Sequence, residues 1–196
     1  MAFSEEFCQE MILNAGFGLR YSSKTLNDFK IITKEHTSVK DAMLDYINNF
    51  SKQEDNLLLV GGKGSGKTFT ASLIAKELYK HRDITLYYTR LHSLFSDIKD
   101  GFNQSNTSNI FEYACNVDLL ILDEVGSYSL SNYDYQQFFS LIDERYSNEL
   151  KTIFITNIEK IKDFIEFLNS AISDRVFESI KIINFGQTSI RTNKTY

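Results

Sequence analysis

The stretch NLLLVGGKGSGKTFTASLIAKELY, residues 56–79, joins an apolar run to a glycine-rich loop and a helix-forming segment. Residues 56–60 are short and apolar, which predicts a buried strand. Residues 61–68, GGKGSGKT, match the pattern G-x-x-x-x-G-K-[S/T], and a helix is predicted over residues 66–80. A strand that passes through such a loop into a helix is typical of proteins that bind phosphate groups.

The chemistry of this loop follows from its residue types. The glycines let backbone N–H groups face a phosphate chain, and the start of the helix adds a partial positive charge. Lys67 is expected to reach the β- and γ-phosphates of ATP, and the Thr68 hydroxyl is expected to hold Mg²⁺. The alternative is a flexible glycine turn that contains a lysine by coincidence. The predicted ATP-binding residues are Gly61, Gly62, Lys63, Gly64, Ser65, Gly66, Lys67 and Thr68.

A second apolar run, DLLILDEVG at residues 118–126, places two carboxylates among aliphatic side chains. A buried carboxylate is costly unless another group compensates its charge. Asp123 is therefore the candidate second ligand of Mg²⁺, with the metal as the compensating charge. Glu124 is placed to orient or deprotonate the attacking water. The alternative interpretation of this pair is a simple turn at the end of a strand.

The remaining pattern alternates strands with helices, which predicts an α/β fold with a parallel sheet flanked by helices. Residues 17–37 are expected to be irregular. The other expected strands are 84–89, 119–123, 152–156 and 181–185, and the other expected helices are 4–14, 38–50, 90–101, 110–115, 132–148 and 160–178, the last as one or two helices. The strand at 84–89 between the two motifs, with an acid directly after Asp123, indicates the ATPase branch of P-loop proteins with an additional strand (the ASCE type).

One further polar residue follows a predicted strand. Asn157 comes directly after TIFIT, residues 152–156. An amide at the tip of a central strand can contact the γ-phosphate or the attacking water. The alternative is that Asn157 caps the helix that follows.

Composition limits the other classes of function. The chain has 196 residues, of which 42% are hydrophobic, and this fits one domain with a proper core. Its formal net charge of −5 means that any contact with DNA has to be local. Cys8 and Cys115 form no CxxC pattern, which favours a cytoplasmic protein with reduced thiols. No signal peptide is recognisable, and no apolar run approaches the ~20 residues of a membrane span.

Several spaced stretches together resemble the AAA+ domain of DnaC-type helicase loaders, a family that shades into the IstB-like transposition helper ATPases. The resemblance covers residues 14–196. It implies an AAA+ ATPase domain at residues 17–196 after a short N-terminal helix in residues 1–16, without the separate helicase-binding domain of full-length loaders. The stretches that carry it are NAGFGLRYSSKTLNDF (14–29), GGKGSGKT (61–68), NVDLLILDEVG (116–126), SNYDYQQFFSLIDERYSN (131–148), IFITN (153–157), SDRV (173–176) and INFGQTSIR (183–191).

The resemblance implies roles for two arginines. Arg175 in SDRV matches the arginine finger, which completes the ATP site of a neighbouring subunit. Its alternative is a salt bridge with Asp174, Glu178 or another acid. Arg191 matches the sensor 2 arginine, which contacts nucleotide within its own subunit. Together these roles imply an ATP-dependent homo-oligomer with a head-to-tail interface.

The resemblance also implies that single-stranded DNA binds along the inner surface of the oligomer. The matching positions are Phe102, Ser131 and Tyr133. Stacking of bases requires an exposed aromatic ring. Lys99 lies about one helical turn before Phe102 and is placed to meet a phosphate. The alternatives are a core position for Phe102 and an ordinary solvated lysine at position 99.

Three functions are compatible with these observations. The first is a helicase-loader-like ATPase whose partner is a replicative helicase. The second is an ATPase that delivers a transposase or recombinase to DNA. The third is a non-enzymatic adaptor or inhibitor that co-assembles with a full-length loader or initiator. The intact residues Lys67, Thr68, Asp123, Glu124 and Arg175 favour an active enzyme.

Overall fold

A computed structural model of the chain describes residues 3–32, 34–50, 56–102 and 108–190, without the side chains of residues 101–102 and 108–109. Within these residues five strands form one parallel sheet in the spatial order β2-β3-β4-β1-β5. The strands are β1 (Asn56–Val60), β2 (Leu86–Arg90), β3 (Leu119–Val125), β4 (Lys151–Thr156) and β5 (Ile180–Asn184).

Helices cover both faces of the sheet, as the alternation of elements predicts. Side chains of β1 show the two faces directly, because Leu57 and Leu59 belong to one buried cluster and Leu58 belongs to the other. The helices of the described residues are α1 (Glu5–Asn14), α2 (Leu19–Ser22), α3 (Lys34–Asn49), α4 (Lys67–His81), α5 (Leu91–Phe102), α6 (Ser108–Asn116), α7 (Asn132–Ser147) and α8 (Ile161–Glu178).

The expectation of irregular structure over residues 17–37 is wrong. This stretch contains α2, a 3₁₀ turn at Leu26–Asp28 and the start of α3. The turn is held by a capping box in which the backbone N–H of Thr25 donates to Asp28 Oδ2 at 3.0 Å. Such contacts between a side chain and its neighbouring backbone leave no hydrophobic period in the sequence, so periodicity does not detect them.

The segment expected as one or two helices contains a kink. Asn169 adopts φ 60° inside α8, and its side-chain oxygen accepts a hydrogen bond from the backbone N–H of Ile172 at 3.2 Å. The asparagine thus starts the second half of α8 as an N-cap would. Among the described residues, no helix combines the length and apolar character that crossing a lipid bilayer requires.

A buried arginine joins the carboxyl ends of two helices to the start of a strand. Arg145 of α7 is 1% exposed, and its guanidinium donates to the carbonyl oxygens of Ala114, Val117 and Lys151 at 2.9, 2.8 and 2.5 Å. Its Nε donates to Thr152 Oγ1 at 3.0 Å. Burial lowers the pKa of Arg145 to about 10, which still leaves the group charged at neutral pH. This single side chain therefore ties α6 and α7 to the start of β4.

We predict that Arg145→Met lowers the free energy of unfolding by about 3 kcal/mol or more, because the substitution leaves several buried carbonyl oxygens without donors. Urea unfolding measures the loss. Arg82→Met is the control, since Arg82 donates to the carbonyl of Ile47 at 3.2 Å from a half-exposed position. Equal losses for the two variants would contradict a special role of Arg145.

Candidate nucleotide-binding site

A cavity of about 640 Å³ opens at the carboxyl ends of the central strands, where the glycine-rich loop meets α2 and the end of β3. Its volume is typical of pockets for small ligands. The lining residues are Arg20, Tyr21, Lys24, Lys63, Gly64, Gly66, Lys67, Thr68, Phe69, Asp123, Glu124, Asn157 and Ile190. The structure therefore brings most of the predicted loop to the same cavity as both carboxylates and Asn157.

The loop delivers the start of α4 to this cavity. Gly66 is the N-cap of α4 and adopts the left-handed φ of 105°. Lys67 is the first helical residue and is 6% exposed. Its ammonium group donates to the carbonyl oxygens of Gly61 and Gly62, at 2.7 Å each. The ammonium group of Lys67 is thus bonded to its own loop. A phosphate oxygen in the cavity can replace these two carbonyl oxygens as its partner.

The remaining loop glycines lie beneath the C-terminal segment, residues 185–190. The backbone N–H of Gly62 donates to the Gly186 carbonyl at 2.9 Å, and that of Ile190 donates to the Gly64 carbonyl at 3.0 Å. A Cβ atom on Gly61 would lie 2.7 Å from the Gly186 oxygen. Close packing against this segment therefore requires glycine at position 61.

Three donors surround the carboxylate of Asp123, which is 6% exposed. Thr68 Oγ1 and the Tyr88 hydroxyl donate to its Oδ2 at 2.8 and 2.9 Å, and the backbone N–H of Glu124 donates to its Oδ1 at 2.7 Å. Among the described residues, no Lys, Arg or His forms an ion pair with this carboxylate. Within the part of the chain that the structure describes, the buried charge is thus held by hydrogen bonds.

The donor set fits Mg²⁺, which prefers oxygen ligands and usually binds through one or two carboxylates together with substrate phosphates. Thr68 and Asp123 supply two such oxygens at the wall of the cavity. The described residues contain no group of three or more acids, histidines or cysteines that would hold a metal by themselves. Thr68 and Asp123 would hold such a metal together with oxygens of a bound phosphate chain.

Tyr88 is a member of this site that the sequence patterns missed. Burial raises the pKa of its phenol, and the nearby Asp123 carboxylate raises it further. The hydroxyl therefore remains protonated over the physiological range and acts as a donor.

Both carboxylates face one cavity because β3 is irregular at its end. Consecutive residues of a regular strand point to opposite faces of the sheet. Here the register of β3 against β4 shifts between Leu122 and Val125, and Glu124 adopts φ 58°. Glu124 is half exposed and forms an ion pair with Arg90, the last residue of β2, at 3.6 Å. A bulge is a common device for re-aiming a side chain beside a functional site.

Asn157 lines the cavity directly after β4. The alternative interpretation, in which it caps the next helix, is wrong, because α8 begins at Ile161 and its N-cap is Lys160. At the same sheet edge, Thr156 Oγ1 donates to the carbonyl of Val125 at 2.7 Å and joins the ends of β4 and β3.

Arg175 lies away from this cavity. It lines a second cavity, of about 320 Å³, beside Asn56, Leu150 and Ser179, which adjoin the amino ends of β1, β4 and β5. Its Nε donates to Asp143 Oδ1 at 2.6 Å. Within a single chain Arg175 therefore forms a salt bridge, as the alternative interpretation expects, and the acid is Asp143. Arg191, the other predicted arginine, lies outside the described residues.

The residues expected to meet single-stranded DNA are partly brought together. Lys99 Nζ lies 2.7 Å from Asp134 Oδ1 and 5.6 Å from the centroid of the Tyr133 ring. Ser131 is the N-cap of α7 and forms a capping box with Asp134. Lys99 is therefore ion-paired, but its side chain is still about half exposed, so the alternative of a solvated surface lysine stays open. The side chain of Phe102 lies outside the described residues.

Sequence reasoning also missed other residues in the cavity wall and, beside it, Arg90. Arg20, Tyr21 and Lys24 enter it from α2 and the turn after it, where no periodicity marks them. Arg90 had a detectable signal, because it ends a strand that lies beside β3. In the parallel register it pairs with Asp123. Polar residues that end neighbouring parallel strands meet at one edge of the sheet.

We predict that Gly61→Ala lowers the free energy of unfolding by about 1–3 kcal/mol and weakens nucleotide binding, because the added Cβ displaces the C-terminal segment. Thermal unfolding and titration with a fluorescent ATP analogue measure the two effects. Gly18→Ala is the control, since an added Cβ there meets no atom within 4 Å. A Gly61 variant that behaved like the Gly18 variant would contradict the proposed packing.

Comparison with known proteins identifies a matching family and similar sequences. The profile described as "IstB-like ATP binding protein" matches residues 11–196. A protein of insertion sequence IS232 from Bacillus thuringiensis subsp. berliner, named for ATP binding, is 32% identical over 78% of this chain and 62% of its own length. The replicative helicase loader DnaC of Buchnera aphidicola subsp. Baizongia pistaciae is 26% identical over 90% of this chain and 70% of its own length. The chain thus spans less than two thirds of the IS232 relative.

Two solved structures show the same fold. A crystal structure of the DnaC helicase loader superposes with a TM-score of 0.78 at 22% identity, over 85% of this chain and 99% of that chain. The replication initiator DnaA bound to AMPPCP and single-stranded DNA superposes with a TM-score of 0.71 at 17% identity, over 86% of this chain and 50% of that chain. These superpositions confirm the predicted P-loop AAA+ fold.

Proposed function

Because the chain belongs to the family of IstB-like ATP-binding proteins, we propose that it is an ATPase that assembles on single-stranded DNA and loads or assists a replicative helicase. The observation that carries this proposal is the cavity in which the phosphate loop, Asp123 and Glu124 meet. In this proposal residues 17–196 form the ATPase domain, and the helix within residues 1–16 is an accessory element packed on α4.

The cavity suits a triphosphate. Its lining includes four basic residues, Arg20, Lys24, Lys63 and Lys67, whose positive charges attract the negatively charged phosphates. The ammonium group of Lys67 exchanges its two loop carbonyls for β- and γ-phosphate oxygens. The aromatic rings of Tyr21 and Phe69 offer apolar surface for the base at the side of α2.

Hydrolysis then depends on how the acids are placed. Thr68 and Asp123 would hold Mg²⁺, which would neutralise charge on the phosphate chain. Glu124 accepts a proton from the attacking water, and Asn157 holds the water or the γ-phosphate. Arg90 pairs with Glu124 at 3.6 Å and has to release it, at least in part, before Glu124 can act as a base.

Arg175 is proposed as the arginine finger of a head-to-tail homo-oligomer. Its position at the amino ends of the strands, far from its own phosphate loop, supports action on a neighbouring subunit. Arg191 is proposed as the sensor 2 arginine of the same subunit. It directly follows Ile190, which lines the cavity.

Single-stranded DNA is proposed to contact Lys99, Phe102, Ser131 and Tyr133. The proximity of Lys99 to Tyr133 supports a shared patch. Since Asp134 already neutralises Lys99, contacts to bases and sugars have to contribute more at this patch than charge does. Affinity then grows through the number of subunits on one strand.

A second candidate is the delivery of a transposase or recombinase to DNA. The observation that favours it is the relative from an insertion sequence, which is 32% identical over 158 residues, whereas the DnaC of Escherichia coli K12 is 29% identical over 133 residues. Both candidates use the same ATP site and differ in the protein that the oligomer engages.

Native mass spectrometry of the chain with ATP, a short single strand and the replicative helicase of its own host tests the proposed function. We predict a defined complex with the helicase that dissociates on ATP hydrolysis.

Lys67→Ala is predicted to abolish nucleotide-dependent assembly, because it removes the phosphate contact. Homo-oligomers on DNA that exclude the helicase would favour the transposition candidate, and assembly of the Lys67 variant like the parent would contradict the ATP dependence.

We predict that Arg175→Ala lowers ATP turnover of the assembled protein by about 10³-fold or more while the affinity for ATP stays unchanged, because the finger acts across the interface. Steady-state hydrolysis on single-stranded DNA and binding of a fluorescent ATP analogue provide the two readouts. Lys181→Ala is a matched control, since it also removes a partly exposed ion pair, to Asp45 at 2.9 Å. Turnover of the Arg175 variant equal to that of the control would exclude the finger role.

A further inference from the structure

The hydroxyl of Tyr88 is the only side-chain donor to Asp123 from the edge strand β2 among the described residues. It lies 2.9 Å from Oδ2, the same oxygen that accepts from Thr68 at 2.8 Å. The other oxygen, Oδ1, accepts from the backbone N–H of Glu124 at 2.7 Å. These three bonds fix both the plane of the carboxylate and its rotation about the Cβ–Cγ bond.

The ring of Tyr88 is itself held from the other side. Phe17 stacks on it with the ring centroids 4.1 Å apart and the planes 20° from parallel. The backbone N–H of Tyr88 donates to the Ala15 carbonyl at 2.7 Å. A Cβ atom on Gly16 would lie 2.3 Å from the Tyr88 carbonyl oxygen, so the chain between α1 and α2 packs directly on β2. The hydroxyl is therefore placed by packing that does not depend on Asp123.

We infer that Tyr88 is a positioning residue for the Mg²⁺ site: its hydroxyl fixes the orientation in which Asp123 presents its oxygens to the metal. The inference rests on the proposed ATPase function and names a residue outside the phosphate loop and the acidic pair. Donors behind a metal ligand reduce the reorganisation that binding requires, and their removal typically weakens metal affinity by about 10–100-fold.

The test is Tyr88→Phe, which keeps the ring that stacks on Phe17 and removes only the hydroxyl. The affinity for a fluorescent ATP analogue is measured as a function of Mg²⁺ concentration and again in excess EDTA. The Mg²⁺ concentration that gives half of the effect is expected to rise by about tenfold or more, while the affinity in EDTA stays at the parental value. Tyr87→Phe is the matched control, because Tyr87 packs against Tyr113 at a centroid distance of 5.4 Å on the other face of β2.

Each outcome separates the possibilities. A Mg²⁺ requirement equal to that of the parent and the Tyr87 variant would overturn the inference. An equal loss of affinity with Mg²⁺ and in EDTA would also overturn it, since it would mean that Tyr88 only supports the cavity wall. A parent that binds no nucleotide under either condition would instead contradict the proposed function.

Discussion

The carboxylate of Asp123 is a charge at the end of an apolar strand, and much of the surrounding structure serves to keep it there. A buried ion without a countercharge is unfavourable unless hydrogen bonds replace its lost hydration. Thr68, Tyr88 and the N–H of Glu124 supply those bonds. Each donor comes from a different place in the chain, so the relative positions of α4, β2 and β3 are all constrained by one side chain. A shift of any one of these elements would therefore break at least one hydrogen bond to Asp123.

The parallel sheet explains why chemistry is concentrated at one of its edges. All five strands run in the same direction, so the residues that end β2, β3 and β4 converge with the loop that follows β1. The opposite edge carries the buried Arg145 and the ion pair of Arg175 with Asp143. One edge therefore carries the glycine-rich loop with both carboxylates, and the other carries two guanidinium groups. The proposed head-to-tail homo-oligomer would bring these two edges together across its interface.

The sequence predicts those parts of this site whose residues follow one another directly in the chain. The strand β1, the glycine loop and α4 follow one another without a gap, and the acidic pair follows an apolar run, so the residue order alone locates both motifs. The contribution of residues 19–28 is not predictable in this way, because short turns stabilised by their own side chains leave no period. In the sequence, Tyr88 cannot be told from an ordinary strand residue. Its hydrogen bond to Asp123 exists only because β2 lies beside β3. The bulge at Glu124 is a departure from strand alternation that no residue type announces.

The order of strands has a consequence for how the molecule is made. The strand β1 lies between β4 and β5, both of which follow it in the chain, and the loop after β1 is packed beneath residues 185–190. During synthesis, the apolar β1 and the glycine loop emerge from the ribosome before β4, β5 and residues 185–190 have been made. Contacts between such distant segments form slowly and leave apolar surface exposed in the meantime. The nucleotide site is thus among the last parts of the fold to be completed during synthesis, although its glycine-rich loop is translated before β2, β3, β4 and β5.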